Sequence, residues 1–200
     1  DSVTIDFGKH LVGHLQVKMG YVNSHPDAPV WIRFSFAENL KEFEENVENY
    51  QGWICSAWVQ QEQLHFDLIP GEYTLPRRYS FRYVKIDILD ISSKFNLVIE
   101  DVMAIALSSA DDSKLKPHHN VHKELEQIDH IACHTLHDCM QKVFEDGPKR
   151  DRRLWMGDLR LQALANYETY QMNDMVKGCL YLFGALPMEN GQVGACVFLD

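Results

Sequence analysis

The stretch RRYSFRYVKIDI, residues 77–88, alternates apolar and polar side chains as a half-buried β-strand does. Its apolar positions change phase once, from Tyr79 and Phe81 to Val84 and Ile86. Such a change predicts a bulge, or a strand that passes between two sheets. Either interpretation places the stretch in a β domain.

The same alternation occurs on both sides of this stretch, and turn sequences such as HPDAP, IPGEY and DISSK separate the runs. Seven or eight short strands in about 110 residues predict an antiparallel, jelly-roll-like β-sandwich over residues 1–110. The acidic stretch EFEENVENYQG, residues 42–52, predicts a loop or short helix inserted in this domain. The other runs with strand periodicity are residues 3–7, 30–36, 64–68 and 96–107.

The apolar period becomes helical after a polar linker, which is predicted at residues 111–119. Apolar residues at spacings of three and four predict one helix of about 25 residues that ends near Val143. Two further helices are predicted, around residues 159–167 and 175–183. Three helices with broad apolar faces make a poor self-sufficient domain. We therefore expect residues 120–200 to begin a larger helical assembly, which makes the chain an α+β multidomain protein.

Composition excludes several classes of partner. A net charge of −10 and a pI near 5.4 argue against nucleic acid or an anionic membrane as the main partner. No apolar run reaches the roughly 18 residues of a membrane span, and no signal peptide opens the chain. The five cysteines form no CxxC pair, which predicts reduced thiols in a cytoplasmic protein, with one disulfide as the alternative. The absence of an initiator Met suggests a piece of a longer protein.

The most unusual stretch for chemistry is FEDGPKRDRRLWMGD, residues 144–158, with four acidic and four basic residues in fifteen positions. A sugar site uses carboxylates to bind hydroxyls and move protons, a cation to orient them, and an aromatic ring to cover the apolar side of the sugar. The loop therefore predicts carbohydrate chemistry. Its candidate residues are Asp146, Arg150, Asp151, Trp155 and Asp158.

The order of residues in this loop resembles the signature of the α-L-rhamnosidases of glycoside hydrolase family 78. That signature typically reads Asp-Cys-Pro-x-Arg-x-Glu-Arg-Leu-Gly-Trp-x-Gly-Asp. Residues 4–20, 32–42, 75–87 and 159–170 also look like stretches of the family, so the likeness spans nearly the whole chain. The loop positions that keep the order are Asp146, Pro148, Arg150, Arg153, Leu154, Trp155, Gly157 and Asp158.

The resemblance implies a β-sandwich followed by the first helices of an (α/α)₆ catalytic barrel. It implies an inverting glycosidase that acts on a rhamnosylated oligosaccharide or glycoside and needs no cofactor. A homodimer is a candidate state of the full-length form. Asp146 and Asp158 would hold sugar hydroxyls, Arg150 would orient a carboxylate or contact the sugar, and Trp155 would wall the subsite. The general base would be a Glu beyond residue 200.

The loop also departs from the family pattern. Gly147 stands where the pattern has Cys, and the glycine before Trp155 is missing. Arg152 occupies the position of the usual acid Glu, and an arginine cannot give up a proton. The neighbouring Asp151 can do so if the shortened loop turns it inward, and it is the predicted general acid.

Several alternatives remain open at this point. Asp158 is also a candidate N-cap of the following helix, and Trp155 a candidate core residue. The Tyr- and Phe-rich strands are candidates for a sugar platform. The whole chain is alternatively a non-catalytic carbohydrate-binding or interaction module of the same ancestry, because the acid position is altered and no base is identified.

The histidines raise the possibility of a metal site. His130, His134 and His137 have ligand-like spacing on one predicted helix, and His118, His119 and His122 precede them. No Cys or carboxylate is spaced to complete a recognised site, so no metal is predicted.

Overall fold

The computed structural model describes residues 1–53, 55–116 and 122–198. The chain divides into two compact units, between Ala106 and Leu107. The first is built from strands and the second mainly from helices, so the predicted α+β class is confirmed. Among the described residues, no helix is long and apolar enough to span a membrane.

The described residues of the first unit contain six strands, fewer than the seven or eight predicted. They are β1 (Ser2–Asn23), β2 (Val30–Ala37), β3 (Gln60–Phe66), β4 (Gly71–Thr74), β5 (Tyr79–Asp90) and β6 (Phe95–Ala106). Hydrogen bonds join them into one antiparallel sheet in the order β3-β2-β5-β1-β4, with β6 also paired to β1. The antiparallel β domain is therefore confirmed, but as one curled sheet rather than as a sandwich of two separately bonded sheets.

Strand β1 connects the parts of the sheet, because it is long enough to pair with different strands along its length. Residues 2–13 pair with β5, and residues 13–23 pair with β6. Strand β4 pairs with residues 16–19. The sheet surrounds a single apolar cluster, whose fully buried members include Leu15, Val17, Ile32, Phe34, Phe81 and Phe95.

The phase change in β5 coincides with an irregularity in its pairing with β1. Tyr79 and Phe81 are buried before it and Val84 after it. The register shifts between Asp6 and Leu11, so residues 7–10 of β1 lie opposite Arg82 alone in β5. The guanidinium of Arg82 donates two hydrogen bonds, of 2.8 and 2.9 Å, to the Asp6 carboxylate beside the irregularity. The pairing is therefore irregular at the predicted place, but the extra residues lie in β1 rather than in β5.

The acidic insertion contains a short 3₁₀ helix, Leu40–Glu44. Its N-cap Asn39 accepts a hydrogen bond from the backbone of Lys41, and the Glu42 carboxylate accepts one from the backbone of Asn39. These reciprocal bonds satisfy free backbone N–H groups at the helix start. The prediction of a loop or short helix is confirmed for the described part of the insertion.

The described part of the second unit contains three α-helices and one antiparallel pair of two-residue strands. They are α1 (Lys123–Cys139), β7 (Leu154–Trp155), α2 (Met156–Glu168), α3 (Asn173–Ala185) and β8 (Cys196–Val197). The second and third predicted helices correspond to α2 and α3. The predicted 25-residue helix is too long, since α1 has 17 residues.

Helix α1 ends at Cys139 because Met140 leaves the helical conformation. The Met140 N–H still donates to the carbonyls of Leu136 and His137, each at 3.1 Å, and Met140 then forms a bridge with Phe144. Met140, Val143 and Phe144 are buried in a turn. Their apolar spacing, which the sequence interpretation attributed to the helix, therefore reflects burial of a tight turn in the core.

Residues 107–116 lie against the end of α1. The Ser109 N–H donates to the Met140 carbonyl at 2.7 Å, and the Ser108 hydroxyl donates to the His137 carbonyl at 2.8 Å. The amide of Gln141 donates to the Leu107 carbonyl at 2.8 Å. The rest of the predicted linker, with His118 and His119, lies outside the described residues.

Substituting Gly13 by Ala is expected to destabilise the β unit by about 1–3 kcal/mol or more. A Cβ at Gly13 would lie 2.0 Å from the backbone oxygen of Ile105, so β1 and β6 would have to separate. Urea denaturation of the 200-residue chain measures the effect.

The matched control is Gly178→Ala. Gly178 is an exposed residue within α3 where an added Cβ meets no atom within 4 Å. Alanine there should stabilise the helix by about 0.5–1 kcal/mol. A Gly13→Ala protein that unfolds at the wild-type urea concentration would contradict the close approach of β1 and β6.

Candidate functional site

The loop of residues 144–158 is fixed at both ends by core residues. Phe144 and Leu154 are each 0% exposed in the cluster that also buries faces of α2 and α3. Across the loop base, the Asp146 N–H donates to the Arg153 carbonyl at 2.9 Å, and the Arg153 N–H donates to Asp146 Oδ1 at 3.0 Å. The sequence between these anchors is therefore held as a closed loop.

The Asp146 carboxyl lies partly buried at this base. Burial raises its pKa above the ordinary aspartate value, and the negative charges of Asp151 and Asp158 act in the same direction. Hydrogen bonds from the backbone N–H groups of Arg153 and Gly147 oppose the rise. Asp151 and Asp158 therefore lie close enough to Asp146 to influence its ionisation.

Asp151 is at the tip of the loop in a left-handed turn. Its φ is 65° and that of Arg152 is 53°, a region that Asp tolerates better than most residues. The Arg152 N–H donates to the Gly147 carbonyl at 3.2 Å, which closes the turn. The Asp151 side chain is 23% exposed, and its Oδ1 lies 3.2 Å from Arg150 Nη1.

Arg150 therefore contacts the Asp151 carboxylate, and the roles of both residues toward a sugar stay predictions.

Trp155 lies in β7, which pairs with β8 near the end of the described chain. Trp155 pairs with Cys196, and the next residue, Met156, donates its N–H to the Ala195 carbonyl at 2.9 Å. The indole is half-buried, and its Nε1 is buried with no hydrogen-bond partner among the described residues. This partial burial fits both interpretations of Trp155, as the wall of a subsite and as a core residue.

The N-cap interpretation of Asp158 is wrong. The N-cap of α2 is Trp155, so Asp158 is the third residue of the helix, in its first turn. Its carboxylate is exposed and near the positive end of the helix dipole, which favours a negative charge. It is therefore not used to cap the helix.

Sequence reasoning missed two groups beneath the loop. Glu145 is only 6% exposed, and its carbonyl accepts a hydrogen bond from Gln162 at 2.7 Å. Burial and the charges of Asp138, Glu145, Asp146 and Asp158 raise the pKa of the Cys139 thiol to about 12. Neither residue had a spacing that marked it. All five cysteines are free in the structure.

The Asp146 carboxyl should titrate above the ordinary aspartate value of about 3.9 in a ¹³C NMR titration. Because this pKa is raised in the folded state, the protonated Asp146 carboxyl stabilises the fold. This contribution is fully present when the pH is below the pKa of an ordinary aspartate. It is lost as the pH rises through the folded pKa. Asp158→Asn should move the midpoint downward, because it removes one of the neighbouring charges.

Asp6 serves as the internal reference for this titration. Hydrogen bonds from Arg82 lower the pKa of Asp6, so its midpoint should fall on the opposite side of the ordinary value. An Asp146 midpoint at or below that of Asp6 would contradict the described burial of the loop base.

A β domain followed by helices, with a loop of carboxylates, an arginine and an indole between two of them, defines a candidate carbohydrate-active protein. Residues 1–106 match the model of the glycosyl hydrolase family 78 alpha-rhamnosidase N-terminal domain. Residues 120–197 match the model of the bacterial alpha-L-rhamnosidase 6 hairpin glycosidase domain. The chain therefore belongs to glycoside hydrolase family 78.

Solved structures agree with this assignment. A rhamnosidase from Klebsiella oxytoca with rhamnose bound is 47% identical, with a TM-score of 0.95 over 100% of this chain and 39% of that protein. The chain thus spans about two fifths of that relative's length. A search of curated proteins gave no match.

Two more distant structures share the fold. One is a family 78 rhamnosidase from Bacillus sp. GL1, with 20% identity and a TM-score of 0.68 over 92% of this chain and 18% of that one. The other is an α-L-rhamnosidase from Dictyoglomus thermophilum, with 19% identity and a TM-score of 0.71 over 98% and 21%.

Proposed function

We propose that this chain is the N-terminal part of an α-L-rhamnosidase that cleaves terminal α-L-rhamnosyl linkages with inversion. The grouping of Asp146, Asp151 and Asp158 in one loop of a family 78 chain carries the proposal. The Klebsiella protein was solved with rhamnose bound. This supports a rhamnosylated oligosaccharide or glycoside as the substrate.

The residues of the loop take different roles in the proposed reaction. Asp151 protonates the leaving glycosidic oxygen, because it is a partly exposed carboxyl at the loop tip beside the orienting Arg150. Asp146 and Asp158 accept hydrogen bonds from sugar hydroxyls. Trp155 covers the apolar face of the ring.

Inversion requires a second carboxylate that activates water on the opposite face of the sugar. Such carboxyl pairs are about 6.5–9.5 Å apart, which leaves room for the water. We assign this base to a Glu beyond residue 200. The 200-residue chain then holds half of the catalytic pair and is not expected to turn over substrate alone.

The domain assignment is part of the same proposal. Residues 1–110 form an accessory β domain, residues 111–119 a linker, and residues 120–200 the first helices of an (α/α)₆ barrel. The helices expose large apolar side chains that further helices would bury. These include Ile128 (63% exposed), Ile131 (64%), Leu161 (63%) and Tyr181 (76%). Homodimer formation and a cytoplasmic location remain predictions.

The test uses the polypeptide encoded by the complete open reading frame that contains this chain. It should hydrolyse p-nitrophenyl α-L-rhamnoside and leave p-nitrophenyl β-D-glucoside intact. Proton NMR during the first turnovers should show β-L-rhamnose as the first product, because inversion changes the α configuration. First release of α-L-rhamnose would contradict inversion.

The alternative function is non-catalytic carbohydrate binding, which the Arg at position 152 favours. Calorimetry with L-rhamnose distinguishes the two. Rhamnose binding by the complete polypeptide without hydrolysis of any rhamnoside would support a binding module and overturn the enzymatic proposal.

A further inference from the structure

We propose that His134, His137 and Asp138, at the C-terminal end of α1, form a binding site for a divalent transition metal ion, best suited to zinc. Each residue offers one ligand atom, and the three atoms lie within 4.8 Å of one another. The sequence interpretation found no carboxylate spaced to complete a histidine site. Asp138 follows His134 by four residues, so the two side chains share one face of α1.

The distances suit a shared ion. Asp138 Oδ2 lies 3.6 Å from His134 Nε2, and Asp138 Oδ1 lies 3.1 Å from His137 Nδ1. Ligand atoms about 2.0–2.2 Å from a tetrahedral zinc ion are roughly 3.3–3.6 Å apart. The two imidazole rings lie nearly parallel, with centroids 5.7 Å apart and an interplanar angle of 13°. Rotation of the two imidazole rings out of this parallel arrangement is needed to bring all three ligands onto one ion.

Burial and charge also favour a cation at this place. The Asp138 side chain is only 4% exposed, and those of His137 and His134 are 19% and 30% exposed. A buried carboxylate is stabilised by a nearby positive charge. The partial exposure of His134 leaves a path for the ion and a position for a water ligand.

A neighbouring carboxylate is placed to support the ligands. When His137 binds the metal through Nδ1, its Nε2–H is on the side of Asp112, whose Oδ1 lies 3.8 Å away. Carboxylates that accept a hydrogen bond from the second ring nitrogen commonly orient metal-bound histidines. Asp112 belongs to the short 3₁₀ helix Asp112–Lys114. A metal would therefore tie residues 107–116 more firmly to α1.

The ligand chemistry selects the class of ion. Two imidazoles and one carboxylate suit zinc, and also cobalt, nickel and copper, whereas magnesium and calcium prefer all-oxygen sites. The three protein ligands leave a fourth position for water. The expected role is structural, since the site rests on α1 and the segment that precedes it.

The test is calorimetric titration of the 200-residue chain with Zn²⁺, in a Cys55→Ser background that removes the exposed thiol as a competing ligand. One zinc should bind per chain. His134→Gln, His137→Gln and Asp138→Asn should each weaken binding at least about tenfold. The control is His130→Gln, an exposed histidine one turn earlier on α1, which should leave the affinity unchanged.

Spectroscopy and thermal unfolding give independent readouts. Co²⁺ should produce the visible absorption bands of a tetrahedral site, and Zn²⁺ should raise the Tm of the parent protein but not of His137→Gln. Circular dichroism checks that each variant folds. If Asp138→Asn does not fold, the loss of zinc affinity is judged from His134→Gln, whose side chain is more exposed. Binding no tighter than about 1 mM, or equal affinity in all four variants, would overturn the proposal.

Discussion

Replacing Asp151 by Asn is expected to lower kcat/KM for a rhamnosyl disaccharide by about 10²–10⁴-fold in the complete open-reading-frame product. Asn matches Asp in shape and tolerates the φ of 65°, so the loop should keep its conformation. What is lost is the proton for the leaving sugar oxygen. Steady-state kinetics of the purified variant measure the effect.

The same substitution at Asp174 provides the control. Asp174 is an exposed residue in the first turn of α3, 3.1 Å from Lys177, and has no role in the proposed site. Asp174→Asn should keep wild-type kcat/KM. Wild-type kcat/KM in Asp151→Asn would remove Asp151 from the mechanism and leave the acid unassigned.

Replacing Phe36 by Ala is expected to destabilise the β unit by about 3–5 kcal/mol. Phe36 is 2% exposed, stacks on Tyr79 with ring centroids 3.7 Å apart, and meets the edge of Phe81 at 5.1 Å. Its removal leaves a cavity among aromatic rings from β2 and β5. Urea denaturation of the 200-residue chain, followed by circular dichroism, measures the loss.

Trp53→Ala is the control for this experiment. Trp53 is 94% exposed in the same unit, so its removal should change stability by less than about 0.5 kcal/mol. A loss below about 1 kcal/mol for Phe36→Ala would show that the rings around Phe36 are not packed as described.

Local periodicity predicted the β unit well because half-buried strands impose it directly. The phase change from Phe81 to Val84 marked the place where the pairing with β1 is irregular, although the extra residues lie in β1. Strand pairing was not predictable in this way, since the alternation in β1 does not indicate that its two halves pair with different strands. The single curled sheet therefore could not be separated from a sandwich by sequence alone.

Helix ends were predicted less well for a related reason. Met140 and Val143 continue the apolar spacing of α1, but they are buried in a turn. Burial alone requires an apolar residue, whatever the backbone conformation. Residues 140–146 contain no Gly or Pro that would indicate that the helix stops at Cys139.

The residue types of the candidate site were visible in the sequence, but their arrangement was not. The pairing of Asp151 with Arg150 and the effect of Asp151 on Asp146 depend on the left-handed turn at the loop tip. The contact of Trp155 with β8 joins residues about forty positions apart. A two-residue strand has no periodicity from which such a contact is predicted.

The central claim is that Asp151 donates a proton to the departing oxygen, and leaving-group dependence tests it most directly. p-Nitrophenolate departs without protonation, whereas a sugar alkoxide does not. In the Asp151→Asn variant, kcat/KM should therefore fall at least about tenfold less for p-nitrophenyl α-L-rhamnoside than for a rhamnosyl disaccharide. Equal losses for the two substrates would contradict the assignment of Asp151 as the general acid.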